Sequence, residues 1–193
     1  MNPRVLVIYA TTDGHTAKVA QAIAATLGLQ GVKVDLGDAN GWDPDPGSYA
    51  AVVMAASVHA GGYQRSIRQW ARRHAAGLRG MPTAFISVCL AVLNRTPKVD
   101  RDLSAILDRF VAQTGWQPGE TKAVAGALRY TRYGFLKRWM MRRIVAKQHG
   151  DTDTSRDYEY TDWDDLAAFT RRFGSAALVA AGDPFGREHP VSV

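Results

Sequence analysis

Residues 5–27 constrain this chain more than any other stretch. Val5-Leu6-Val7-Ile8 is a continuous apolar run of the kind that forms a strand buried on both faces of a sheet. Ala20, Ile23, Ala24 and Leu27 then recur at i, i+3, i+4 and i+7, which is one face of a helix. Between the two lies Tyr9-Ala10-Thr11-Thr12-Asp13-Gly14-His15-Thr16. A strand, a hydroxyl-rich loop with a glycine and then a helix make a phosphate site. First-turn N–H groups lack helical partners and carry partial positive charge, and Thr11, Thr12 and Thr16 add hydroxyl donors. Gly14 lets the backbone approach an oxyanion closely. The stretch contains neither G-x-G-x-x-G nor G-K-[ST], which excludes the dinucleotide fingerprint and the Walker loop.

Further along, Val32-Lys33-Val34-Asp35-Leu36 alternates as a second strand, and residues 49–56 read as a buried third. Residues 41–48, rich in Gly, Asp and Pro, form a loop with room for no more than a helical turn. Ile67, Trp70, Ala71 and His74 mark a helix, with His74 a packed or half-exposed position at its end. Residues 83–90 give a fourth strand; Leu103, Ile106, Leu107, Phe110 and Val111 a helix; residues 122–128 a fifth strand. Strands alternating with helical crossovers predict an α/β fold with a parallel sheet covered on both faces. A last helix starts near Asp162, with Thr161 and Asp164 set as a capping box and an apolar face of Trp163, Leu166, Ala167, Phe169, Thr170 and Phe173. The expected organisation is a single domain over residues 1–182 and a loose tail over residues 183–193.

The 193 residues, 46% hydrophobic and 22% charged, suit a soluble globular domain with a full core. No apolar run reaches the roughly 18 residues of a membrane-spanning helix, and the early first strand leaves no room for a signal peptide. The lone Cys89 fits a reducing compartment and reads as a small strand residue, not a redox thiol. The five histidines show no metal-ligand spacing, so no metal is expected. Of 24 basic residues, eight lie between Thr121 and Gly150, where there is no acidic one; the remaining 16 face 18 acidic residues. The positive excess therefore sits in one segment.

A phosphate loop of threonines without lysine looks like the flavin mononucleotide (FMN) loop of flavodoxins. In that doubly wound five-stranded sheet, of order 2-1-3-4-5, the ligand sits at the carboxyl ends of the strands at the switch point, flavodoxin itself being the type case. The corresponding loops here are residues 11–16, 57–63 and 87–94. The first would hold the phosphate. Ser57, Val58, His59, Ala60, Gly61, Gly62 and Tyr63, with Ser87, Val88, Cys89 and Leu90, would flank the ring. Gly61 and Gly62 would allow close backbone contact, and Tyr63 would stack on a face. His59 is the one histidine in a ring-flanking loop, and no general base is assigned.

More specifically, Thr12-Asp13-Gly14-His15-Thr16 resembles the loop of the quinone-dependent protoporphyrinogen oxidases, flavodoxin-like enzymes of bacterial haem synthesis. Asp13 stands where flavodoxins usually have threonine; being repulsive to a phosphate, it would serve the loop backbone or the helix N-terminus. Met81-Pro82-Thr83-Ala84-Phe85, Ala125-Gly126-Ala127-Leu128-Arg129-Tyr130, Thr152-Asp153-Thr154 and Tyr160-Thr161-Asp162-Trp163 agree, over about residues 5–173. The resemblance implies FMN as cofactor, protoporphyrinogen IX as substrate, a membrane quinone (menaquinone or ubiquinone) as acceptor, and an insertion by the fifth strand that engages substrate or membrane.

Here that insertion would span about residues 129–158. It interleaves Phe135, Leu136, Trp139, Met140, Met141, Ile144 and Val145 with Lys137, Arg138, Arg142, Arg143 and Lys147. Such composition suits a segment lying on an anionic membrane surface, with Arg143 and Lys147 snorkelling. The alternative is a solvated basic helix packed on its own domain. Arg129, Arg132, Tyr130 and Tyr133 are candidate contacts for the two propionates and flat macrocycle of a porphyrinogen. The expected location is cytoplasmic, at the inner face of the cell membrane, with homo-oligomerisation open. A flavodoxin-type electron carrier and an NAD(P)H:quinone reductase are the alternatives. Nucleic-acid binding is disfavoured, because the basic residues alternate with large aliphatics.

Overall fold

The computed structural model describes residues 4–132, 151 and 153–182. Strands β1 (Arg4–Ala10), β2 (Lys33–Asp38), β3 (Ala51–Ser57), β4 (Thr83–Val88) and β5 (Glu120–Val124) form one parallel sheet of order β2-β1-β3-β4-β5. Val7 lies between Leu36 and Val53, Met54 beside Phe85, and Ser87 beside Ala123.

Side chains alternate across the sheet, so each apolar strand feeds two cores. Val5, Val7, Val53 and Ile86 face helices α1 (His15–Leu29) and α4 (Trp163–Gly182), meeting Val19, Ile23, Leu27, Leu166, Phe169 and Phe173. Leu6, Ile8, Met54 and Phe85 face α2 (Arg65–His74) and α3 (Pro97–Thr114), meeting Ile67, Trp70 and Phe110, with Trp116 just beyond α3. α1 and α4 approach so closely that a Cβ on Gly174 would lie 2.8 Å from Leu27 Cδ2. α3 carries its signals locally. Thr96 accepts the Val99 N–H at 3.3 Å, Pro97 opens the helix, and Gly115 closes it at φ 70°.

The fifth strand differs from its expected span of residues 122–128. β5 ends at Val124, and β6 (Ala127–Leu128) pairs antiparallel with β7 (Tyr158–Glu159). The break is held from a distance, because Ala125 O accepts the Thr161 hydroxyl at 2.7 Å and Gly126 O accepts the Tyr160 N–H at 3.1 Å. The two-stranded ladder thus joins the ends of the predicted insertion. The α4 cap is also one residue from the expected one: Asp162 Oδ1 accepts the Asp165 N–H at 2.9 Å, since the Thr161 hydroxyl is committed elsewhere. Tyr133, Trp139, Arg142, Arg143 and the tail beyond residue 182 lie outside the described residues, and of Arg132 only the backbone is described.

Candidate cofactor site

The three predicted loops meet at the carboxyl end of the sheet. The first leaves β1 and enters α1 through Gly14, held left-handed at φ 87°. A Cβ there would cost roughly 1–2 kcal/mol, which is why glycine fits. No side chain caps α1, so its first-turn N–H groups point out of the loop. Thr11 Oγ1 accepts the Gly14 N–H at 2.9 Å, and Thr12 Oγ1 accepts from Gln64 Nε2 at 3.2 Å. Each hydroxyl therefore keeps its own hydrogen for donation. Uncapped N–H groups and two hydroxyl donors, with no lysine, form a donor set that fits a phosphate monoester.

His15 and Thr16 are buried behind this loop. The Thr161 hydroxyl donates to Ala125 O, so it accepts from His15 Nε2 at 2.7 Å, which places the neutral ring's proton on Nε2. His15 Nδ1 faces Glu159 Oε2 at 3.8 Å, with no hydrogen bond of its own. Burial holds the imidazole pKa below its usual 6.5; Glu159 opposes the shift, and Arg129 and Lys18 add to it. The side chain of His15 thus serves the architecture of the loop, leaving its backbone N–H for a ligand.

The second loop is a tight reversal. His59 and Gly62 exchange N–H···O bonds of 2.8 and 3.0 Å around Ala60 (φ 47°) and Gly61 (φ 74°). Two left-handed residues at the tip give a type I′ geometry, with Ala60 under the strain that a Cβ imposes. His59, Ala60 and Gly61 are at least partly exposed, which presents this turn as a rim.

Tyr63 does not take the stacking position expected of it. It is 5% exposed, its ring packs edge-to-face on Phe85 (4.8 Å) and Phe110 (5.4 Å), and its hydroxyl donates to Ser87 Oγ at 2.9 Å. The aromatic core outcompetes solvent for the ring, and burial pushes its pKa up to about 12. In the third loop, Ser87 and Val88 are buried, and Val88 O accepts the Val58 N–H at 2.9 Å, tying loops two and three together. The Cys89 N–H donates to Val124 O at 3.0 Å, and burial raises the thiol's pKa, which makes it a poor thiolate. Leu90 packs with Leu128, Tyr158 and Tyr160 at the base of the insertion.

Two insertion-base residues depart from their expected contact roles. Tyr130 is fully buried, with its hydroxyl donating to Asp151 O at 3.0 Å, so it offers no flat face to a ligand. Arg129 Nη1 lies 3.6 Å from Asp157 Oδ2, and Asp157 also accepts the backbone and hydroxyl hydrogens of Thr131. Sequence reasoning missed Gln64, which bridges the first two loops through Thr12 and, at 2.5 Å, Ser57. The residue stands one position past the predicted loop, and a polar amide between Tyr63 and the arginines of α2 was the available signal.

A hydroxyl-rich loop ahead of α1, with two further loops at the carboxyl ends of β3 and β4 of a 2-1-3-4-5 sheet, defines a protein of the flavodoxin class. The sequence model of the flavodoxin domain matches residues 6–155. Protoporphyrinogen IX dehydrogenase (quinone) of Escherichia coli K12 is 32% identical over 169 residues, covering 87% of this chain and 93% of that protein. The enzyme of the same name from Leishmania major is 33% identical over 189 residues, covering 95% and 79%. The chain belongs to the flavodoxin-domain family, alongside these quinone-dependent protoporphyrinogen IX dehydrogenases. Among solved structures, flavodoxin 2 of Bacillus cereus matches with a TM-score of 0.55 at 13% identity, covering 90% of this chain and 99% of that one. The rubredoxin:oxygen oxidoreductase of Desulfovibrio gigas matches at 0.57 and 12%, covering 94% and 38%. Both show the fold alone. Fold and domain together imply a flavin cofactor. Among the described residues, no helix is long and apolar enough to cross a membrane.

Proposed function

We propose that this protein oxidises protoporphyrinogen IX to protoporphyrin IX with bound FMN and passes the electrons to a membrane quinone. The observation that carries this reading is identity of 32% along 93% of an enzyme with that name, in a chain whose cofactor loops assemble as described. When bound, FMN supplies the two-electron acceptor chemistry that a six-electron oxidation uses three times. The chain supplies position. Thr11, Thr12 and the N–H groups of residues 15 and 16 hold the phosphate, the turn at residues 59–62 lines one edge of the ring, and Gln64 fixes the spacing between them. The insertion, with Arg132, Tyr133, Trp139, Arg142 and Arg143, engages substrate and the anionic inner membrane surface.

The test is anaerobic addition of protoporphyrinogen IX to FMN-loaded protein, following flavin bleaching and porphyrin fluorescence. Bleaching that reverses on adding a menaquinone analogue is the expected result. A bound flavin that ignores porphyrinogen would transfer the protein to the carriers or reductases. Deleting residues 135–145 is expected to spare FMN binding and to cut turnover with membrane quinone; unchanged turnover would remove the role given to that segment.

A further inference from the structure

The arginines of this molecule differ in their partners. Arg4, Arg73, Arg95, Arg129 and Arg172 each lie within 4.0 Å of a carboxylate oxygen. Arg65, Arg68 and Arg72 of α2, together with Arg109 of α3, pair with no carboxylate among the described residues. Their spacing at i, i+3 and i+7 puts the three α2 arginines on one stripe, opposite the buried Ile67, Trp70 and Ala71. α2 itself contains no acidic residue.

Two adjoining hollows lie in the cleft between α2 and α3 and share Arg68 and Gln113. One, of about 260 Å³, runs beneath the turn at residues 59–62 and is lined by Arg68, Arg109 and Gln113; the other, of about 290 Å³, is lined by Arg65, Arg68 and Arg72. Among the described residues no acidic side chain lines either. Arg68 Nη1 donates to Gln113 Oε1 at 3.1 Å, while its Nε is buried without a hydrogen-bond partner. Arg109 Nη1 donates to Gly61 O at 3.2 Å, which brings a guanidinium against the underside of the flavin-loop tip. A buried N–H on a cation is expensive to leave unmatched, and a guanidinium fork matches a carboxylate in two parallel hydrogen bonds. Both hollows fall below the roughly 300–1,000 Å³ of pockets that enclose a whole drug-sized ligand, so they suit a side arm and not a macrocycle.

We propose that the α2–α3 cleft is a carboxylate subsite that receives the propionate arms of the tetrapyrrole. The proposal rests on the functional reading above. It adds to Arg129, whose Nη1 faces Asp157 while its Nε has no hydrogen-bond partner, a cluster of guanidiniums that have no carboxylate among the described residues. The macrocycle then lies over the exposed turn at residues 59–62.

The experiment titrates FMN-loaded protein with protoporphyrin IX and with its dimethyl ester, in which both carboxylates are neutral, and measures kcat/KM for the two corresponding porphyrinogens. Arg68→Gln is expected to weaken diacid binding and lower diacid kcat/KM by about tenfold or more, through KM, while leaving the ester values unchanged; Arg109→Gln, which also loses its bond to Gly61 O, is expected to lower the diacid value more than the ester value. Arg68→Lys is expected to restore part of the loss, and matching melting temperatures show that the variants fold. Equal losses for diacid and ester, or no loss in a protein that turns over, would overturn the subsite and leave the function standing. If wild type oxidises neither porphyrinogen, the function fails; Arg68-dependent preference for diacid over ester in the titration still supports the carboxylate site. Arg68-dependent binding of inorganic phosphate or of phosphatidylglycerol vesicles, without that preference, would make the cleft a phosphate or headgroup site and overturn the proposal.

Discussion

The two faces of the sheet are built on different terms. On the α1/α4 side the sheet contributes small and branched residues, and the polar groups at the loop end are hydrogen-bonded to one another, apart from His15 Nδ1. His15 meets Thr161, Thr161 meets Ala125, and Glu159 meets Lys18 and the Trp163 indole N–H. On the α2/α3 side the core is aromatic, with Tyr63 and Trp116 each packed on Phe85 and Phe110, and Arg65, Arg68, Arg72 and Arg109 have no carboxylate partners among the described residues. The first face fixes the loop of residues 11–16 and ties it to Thr161, 146 residues away and just past the insertion. The second leaves those four guanidiniums without carboxylates among the described residues. The difference teaches that one sheet can use its polar groups to fix loops on one side and leave its cations uncommitted on the other.

Thr161→Val tests the first face most severely. It strips His15 Nε2 of its acceptor and Ala125 O of its donor, leaving two largely buried groups unmatched at about 1–3 kcal/mol each. A stability loss of about 2–4 kcal/mol in urea titration is expected, together with weaker FMN retention. A loss no greater than that of a single hydrogen bond on the other face would erase the contrast.

The pH profile sharpens the same comparison. Because burial holds the His15 pKa below 6.5 in the fold, the unfolded chain takes up a proton first as pH falls. Stability therefore declines from about pH 6.5 downward until the folded imidazole protonates in its turn. Glu159 adds a second component at lower pH. Burial alone would raise its pKa, but Lys18, Trp163 and His15 outweigh that and set it below 4.5, so its stabilisation is present above that pH and lost below. His15→Gln is expected to flatten the upper part of the decline; an unaltered profile in that variant would assign the decline to other groups.

Local chemistry alone makes part of this architecture legible in the sequence: the Val5 to Ile8 run, Gly14 and the helical spacing after it specify β1, the loop and α1. The features that escape such reading depend on partners far off along the chain. Apolar character continues through residues 122–128, so nothing local marks the break at Ala125; it exists because Thr161 and Tyr160 claim two carbonyls. Thr161 and Asp162 are equally good caps by type, and only the distant commitments of the Thr161 hydroxyl decide between them. Tyr63 follows two glycines, which leave its direction open until Phe85 and Phe110 close around it. Charge counting finds the basic insertion but misses Arg65, Arg68 and Arg72 of α2, whose lack of carboxylate partners among the described residues is a tertiary property.

On the aromatic face, Tyr63→Phe removes one buried hydrogen bond to Ser87. The expected cost is about 1 kcal/mol, with the flavin absorption spectrum and FMN affinity unchanged because the ring packs in the core. A shifted flavin spectrum would return Tyr63 to the cofactor.

The smallest expected effect belongs to the surface of the first face. Lys18 Nζ lies 2.8 Å from both carboxylate oxygens of Glu159 and 5.1 Å from the Trp163 ring centre, yet its side chain is 51% exposed. Exposed pairs are screened and pay side-chain entropy, so Lys18→Gln should cost no more than about 1 kcal/mol at low salt, and less in about 0.5 M salt, where the screening length is much shorter. Thermal unfolding at the two salt concentrations separates the cases. A larger, salt-independent loss would mean that Lys18 contributes more than a screened surface pair. Separately, removing the cation leaves the carboxylate free to raise the imidazole pKa toward its unfolded value. The upper part of the pH decline would then shrink in Lys18→Gln as it does in His15→Gln.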